Sequence, residues 1–137
     1  MPNLDNSKKI VIDTYAWIEY FKGSNEGIKA KKFIEGEFEL FTPSMVIAEL
    51  SDKYRREDLS DKWATRIQFI GLCTKILVLD ADVSDKAGEL KQHLKKNYRD
   101  VGLADAIVFA HSLNIGARIL TGDKHLKNLK NTIDITR

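Results

Sequence analysis

A chain of 137 residues, 43% apolar and 31% charged, has room for one core of ordinary globular character and none for a second domain. Its formal net charge of +2 excludes the strongly basic balance that alone announces a nucleic-acid binder, while permitting a polyanionic substrate. Cys73 is the only cysteine, so no intramolecular disulfide can form; with no apolar run near the ~20 residues of a membrane span, a cytoplasmic protein with no membrane association is expected.

Residues 1–8 are expected to be a short polar tail without a signal-peptide apolar stretch, and residues 9–137 a single domain. Lys9 to Asp13 has the β-branched pattern of a strand covered on both faces, and it ends in an acid. Thr14 to Phe21 spaces Trp17, Ile18 and Phe21 as on a helix, which Lys22-Gly23-Ser24-Asn25 stops; a second helix is expected from Glu26 to Glu35. Phe38 to Phe41 is the next strand, with Thr42 as N-cap and Pro43 as first residue of a helix reaching Arg55.

Glu57 to Leu72 is expected to be a helix with Trp63, Ile67 and Ile70 on its inner face and Cys73 buried behind it. Ile76 to Leu79 follows as a third buried strand, and Asp82 as the cap of a helix from Val83 to Lys96 whose Ala87 and Leu90 face the core. Leu103 to Leu113 is apolar almost all round and must be deeply buried. Ala117 to Leu120 is strand-like, and Ile133 to Ile135 adds a last strand at an edge. Strands alternating with helices give right-handed crossovers and a parallel sheet covered on both faces, whose ligands sit beyond the strand carboxyl ends where the strand order reverses.

Asp13 and Asp123 fall at that address, the latter after Ile119-Leu120-Thr121-Gly122. Glu49 lies in Met45-Val46-Ile47-Ala48-Glu49-Leu50 on the stripe of Met45, Val46 and Leu50, and Asp105 sits in Leu103-Ala104-Asp105-Ala106-Ile107-Val108-Phe109-Ala110. Each acid has an ordinary alternative: a helix cap for Asp13 and Asp105, a turn for Asp123, a helix flank paired with Lys53 for Glu49. Four acids converging without a basic neighbour would repel, so they must take up protons or recruit a cation; all-oxygen donors suit Mg²⁺ or Mn²⁺ and disfavour zinc.

His93, His111 and His125 lack ligand-like spacing and carry no assigned chemistry. Lys29, Lys31 and Lys32, then Lys53, Arg55 and Arg56, then Lys91, Lys95, Lys96 and Arg99 read as solvated helix faces, some able to steer RNA through phosphate contacts. Trp17, Tyr20 and Phe21 are read as core aromatics with a share left for a partner surface.

Asp13-Thr14-Tyr15-Ala16-Trp17-Ile18-Glu19-Tyr20-Phe21, Ser44-Met45-Val46-Ile47-Ala48-Glu49-Leu50, Leu103-Ala104-Asp105-Ala106-Ile107 and Leu120-Thr121-Gly122-Asp123-Lys124-His125 resemble, in order, the motifs of the PIN domain, and among its branches the VapC-like toxin ribonucleases. The resemblance runs from Lys9 to the end and draws its specificity from the order of the four motifs. It implies a three-layer α/β/α sandwich around a parallel sheet of about five strands, and metal-dependent endoribonuclease activity leaving a 5′ phosphate and a 3′ hydroxyl. It also implies a homodimer, restrained by a cognate antitoxin.

By motif match, Asp13, Glu49, Asp105 and Asp123 would be the acidic ligands, with Thr121 a supporting hydroxyl; separately, Asp13 and Asp105 are expected to hold the principal ion. Tyr15 stands where the family often has a small polar residue, and Asp100 is an additional acid near the third motif. Two rivals stand beside this reading. One is a PIN-like module that binds RNA or protein without cutting. The other is a haloacid-dehalogenase-like phosphohydrolase with Asp13 as nucleophile, which lacks its second aspartate because Tyr15 occupies that position. A nucleotide-binding module is disfavoured, since no Gly-rich phosphate loop follows the first strand.

Overall fold

The computed structural model describes residues 4–137, so residues 1–3 of the polar tail lie outside the described residues. The five strands found there are β1 (Lys9–Ile12), β2 (Glu39–Pro43), β3 (Lys75–Leu77), β4 (Arg118–Thr121) and β5 (Thr132–Asp134). They form one parallel sheet in the order β3-β2-β1-β4-β5. The six helices are α1 (Thr14–Lys22), α2 (Asn25–Ile34), α3 (Ser44–Arg56), α4 (Ser60–Cys73), α5 (Ala81–Leu94) and α6 (Leu103–Ile115). This is the expected α/β sandwich.

The chain starts at the central strand, builds outward through β2 to β3, and returns to the other side of β1 with β4 and then β5. The order therefore reverses between β1 and β4, and the ends of those two strands frame the crevice where α/β sheets hold ligands. Ile10, Val11, Ile12, Ile119 and Leu120 are wholly buried, as central parallel strands require. Helix α6 packs on α5 and against β1 and β4, which explains its apolar surface: Ala106 to Ser112 are all buried.

Two glycines set how the first helices meet. Gly23 ends α1 in the left-handed conformation (φ 67°), which only glycine adopts without cost, and its N–H satisfies the carbonyls of Glu19 and Tyr20. Gly27 lies so close to α1 that a Cβ there would stand 1.9 Å from the Glu19 carbonyl oxygen. Trp17, fully buried, stacks on Phe21 at 5.4 Å and meets Phe69 edge-on, while Tyr20 stacks on Phe69, so these aromatics serve mainly the interior.

Several local expectations are corrected. Thr42 is not a cap: β2 continues to Pro43 and α3 begins at Ser44. The buried Thr42 hydroxyl accepts from Trp17 Nε1 at 3.2 Å, so tertiary pairing has drawn the cap-like residue into the strand. Helix α5 is capped by Asp80, whose Oδ1 accepts from Val83 N–H at 2.9 Å, and Asp82 sits in its first turn. Strand β3 is an edge rather than a buried strand, because only β2 flanks it, leaving Ile76 and Val78 exposed. Ile67 and Cys73 are likewise exposed, since α4 turns only Trp63 and Ile70 fully inward.

Candidate active site

Asp13 follows the last residue of β1, and the next residue opens α1, so its position is fixed by a strand on one side and a helix on the other. One carboxylate oxygen, Oδ1, caps the helix by accepting from Ala16 N–H at 2.9 Å. The other, Oδ2, accepts from the Thr121 hydroxyl at the end of β4, across the point where the strand order reverses. The capping role and a place in the crevice thus coexist in one side chain. Burial pushes the Asp13 carboxyl up to about 7, against the lowering effect of those two hydrogen bonds, and the charges of Asp123 and Asp105 push the same way.

Asp105 occupies the first turn of α6, where its Oδ2 accepts from Gly102 N–H at 3.2 Å. Here too the capping alternative holds without removing the acid from the crevice. Burial raises its carboxyl above the usual range, with Asp123 adding to the effect. Asp123 is anchored by a turn: its N–H donates to Thr121 Oγ1 at 3.0 Å, and its Oδ1 accepts from His125 N–H at 2.8 Å. Thr121 therefore fixes two acids at once.

Glu49 departs from expectation. Val46, Leu50 and Tyr54 form the buried stripe of α3, and Glu49 lies on its exposed flank rather than turned from water. Its Oε1 accepts from the Thr14 hydroxyl at 2.6 Å, while Lys53 pairs with Glu57 instead. Even so, Asp13, Glu49, Asp105 and Asp123 all line one open cavity of about 250 Å³, with Thr14, Tyr15 and Ile18 on its α1 side.

Two residues were not assigned from sequence. Thr14 holds Glu49; its signal was its place directly after Asp13, in the first turn of α1. His125 is the more consequential: its Nδ1 lies 3.2 Å from Asp105 Oδ2 and 3.4 Å from Asp123 Oδ1. An imidazole therefore stands beside two of the acids, at a residue to which the sequence assigned only a place in the turn after Asp123. The turn after β4 carries the imidazole back over α6, a placement that spacing alone could not reveal.

Asp100 and Tyr15 also find their places. Asp100 is exposed, accepts from Lys124 Nζ at 3.2 Å and lies 3.0 Å from His125 Nε2; these partners hold its carboxyl down at about 2. Tyr15 directs its hydroxyl to Glu26 at 2.9 Å and not to Asp13, so the hydroxyls that order the acids belong to Thr14 and Thr121. A Cβ on Gly122 would stand 2.4 Å from the Tyr15 ring, so the tyrosine covers the backbone between Thr121 and Asp123.

A parallel α/β sheet with an acid-lined crevice at its strand-order reversal defines the class of protein. The PIN domain family model matches residues 10–131, and the chain belongs to the PIN domain family. No curated protein matches it in sequence. Among solved structures it is similar to a toxin–antitoxin complex from Klebsiella pneumoniae, with a TM-score of 0.73 and 16% identity over 92% of this chain and 97% of that one. It is similar to VapBC-1 from nontypeable Haemophilus influenzae, at TM-score 0.72 and 18% identity over 94% and 99% of the two chains. A third, VapC20 from Mycobacterium tuberculosis, described as a sarcin-ricin loop cleaving toxin, aligns at TM-score 0.67 and 18% identity over 84% and 90%.

Proposed function

We propose that this chain is a divalent-metal-dependent endoribonuclease and the toxin of a VapBC-type toxin–antitoxin pair. The observation that carries the proposal is the meeting of Asp13, Glu49, Asp105 and Asp123 on one cavity at the switch point of the sheet, with no lysine or arginine among the residues lining it. Similarity in fold to toxins held in toxin–antitoxin complexes supports the branch and an antitoxin partner. In keeping with that branch, the protein is a cytoplasmic homodimer; no helix among the described residues is long and apolar enough to cross a membrane.

The donor set fits Mg²⁺ or Mn²⁺. A buried carboxylate that is raised to about 7 gains from any positive charge brought to it, and four acids supply hard oxygen donors with room for water. Asp13 and Asp105 would hold the principal ion, and Glu49 and Asp123 would complete the acidic ring. When bound, such a cation would supply positive charge to polarise the phosphoryl group and would lower the pKa of a water, making hydroxide available near neutral pH.

The remaining work falls to residues of the chain. Thr121 and Ala16 N–H hold the two oxygens of Asp13 in fixed directions, Thr14 steadies Glu49, and the turn at His125 N–H steadies Asp123. Their value is pre-organisation: carboxylates held in direction by hydrogen bonds have less to reorganise as charge develops on the scissile phosphate. Lys22, Lys53, Lys62 and Arg66 line a neighbouring pocket that shares Ile18 with the acidic cavity, and they offer positive charge to the RNA backbone on that one side.

Cleavage of a mixed-sequence RNA with Mg²⁺ or Mn²⁺, against an EDTA control, tests the proposal. Loss of cleavage in EDTA and in Asp105→Asn, with the fold intact, is the expected result. Undiminished cleavage in chelator would overturn it, and RNA retention without cleavage under any metal would favour the non-catalytic binding module.

A further inference from the structure

We propose that His125 is a nitrogen ligand of the divalent cation, held in its ligating orientation by Asp100, and that the site therefore takes a transition ion such as Mn²⁺ in preference to Mg²⁺. The inference rests on the reading that the acidic cavity binds a cation. It goes further by adding a donor that is not a carboxylate and by naming the ion the donor selects.

The ring of His125 is fixed from several sides. Its side chain is only 11% exposed, its backbone N–H is tied to Asp123 Oδ1, and it meets the Tyr98 ring edge-on at 5.7 Å. Nε2 lies 3.0 Å from Asp100 Oδ1, and Lys124 Nζ holds the other oxygen of Asp100 at 3.2 Å. A neutral imidazole that donates from Nε2 to Asp100 presents the lone pair of Nδ1 at its other end. That end faces Asp105 Oδ2 and Asp123 Oδ1, and in this tautomer it makes a third electron-pair donor beside them.

Nδ1 and one oxygen from each of the two acids all lie within 4.8 Å of one another. Neighbouring ligands of one six-coordinate ion stand on the order of 3 Å apart, so the 3.2 and 3.4 Å found here suit a shared ion as well as they suit a hydrogen bond. A carboxylate hydrogen-bonded to the outer nitrogen of a histidine whose inner nitrogen meets a metal is the usual way such a ligand is oriented. Imidazole is a donor for first-row transition ions, whereas Mg²⁺ keeps to oxygen ligands and water. The other arrangement of the same atoms, Nδ1–H donating to Asp105, would make His125 a structural neighbour with no say in which ion binds.

Pulsed EPR of the full chain loaded with Mn²⁺, without RNA, separates the two. Ligation predicts a ¹⁴N coupling to the ion in the unaltered protein, lost in His125→Ala. Titration calorimetry should show Mn²⁺ affinity falling at least ~10-fold in His125→Ala and up to ~10-fold in Asp100→Asn, with Mg²⁺ affinity changed less than ~3-fold. Absence of the nitrogen coupling in the unaltered protein, or its persistence in His125→Ala, would overturn the proposal whether or not the variant is well folded. Nitrogen-coupled Mn²⁺ in a protein that leaves RNA intact would uphold His125 and overturn the ribonuclease reading; RNA cleavage with no nitrogen coupling would do the reverse.

Discussion

Thr121, the last residue of β4, donates its hydroxyl proton to the buried Oδ2 of Asp13, the residue that follows β1, and so joins the two strands between which the order of the sheet reverses. A hydrogen bond to a charged, buried acceptor contributes about 1.5–3 kcal/mol. Thr121→Val keeps the shape and removes the donor, and it also frees the N–H of Asp123. We expect cleavage at neutral pH to fall roughly 10- to 100-fold. The rising limb of the pH–rate profile should move to higher pH, because Asp13 loses one of the two bonds that favour its charged form. A profile unchanged in position would show that Thr121 does not act through Asp13.

Asp13 makes a contribution of definite sign to the pH dependence of the metal-free fold. Its folded carboxyl stands at about 7 against an ordinary 3.8, so the folded chain binds the proton more tightly than the unfolded one. The stabilisation this gives is complete below about pH 4 and is lost as pH rises through about 7, an effect on the order of 4 kcal/mol. Asp13→Asn, which cannot ionise, should be inactive yet more stable than the unaltered chain at pH 8 in EDTA. Urea unfolding at pH 5 and pH 8 measures this; an Asn variant less stable at pH 8 would contradict it.

Metal binding runs against that proton. A cation held by Asp13 must displace it, so affinity for Mn²⁺ should climb with pH up to about 7 and level off above. Calorimetry in two buffers of different ionisation enthalpy would detect the released proton below that pH. Affinity flat from pH 5.5 to pH 8 would mean that Asp13 is not a ligand.

Gly27→Ala should be costly although it lies outside the acidic cavity. Its Cβ would stand 1.9 Å from a backbone oxygen of α1, so the two helices must part. Overpacking of this kind costs about 1–3 kcal/mol, a fall in Tm of several degrees for a chain of this size. Because α1 begins at Thr14, which positions Glu49, activity should drop with stability; a thermal melt within one degree of the unaltered protein would contradict the close approach.

The elements that position the site were legible in the sequence because their signals were local. Lys9 to Ile12 and Arg118 to Thr121 are short β-branched runs, and the apolar perimeter of α6 announced its burial. The placement of Asp13, Asp105 and Asp123 followed from parallel topology, which puts strand ends and the start of a following helix on one edge of the sheet. What escaped depended on partners distant in sequence. Thr42 looked like a cap until Trp17 claimed its hydroxyl, and β3 looked buried because nothing in Ile76-Leu77-Val78 tells an edge from a centre. His125 looked like a turn residue because Asp100, some 25 positions earlier, is brought to it only by the fold.

The central claim is that these carboxylates surround a divalent cation, and anomalous diffraction from crystals soaked in Mn²⁺ tests it most directly. A single strong peak, or a close pair, within bonding distance of Asp13 and Asp105 is the expected result, absent in Asp13→Asn. A cavity without a peak at saturating Mn²⁺, or an ion bound only away from Asp13 and Asp105, would contradict the account.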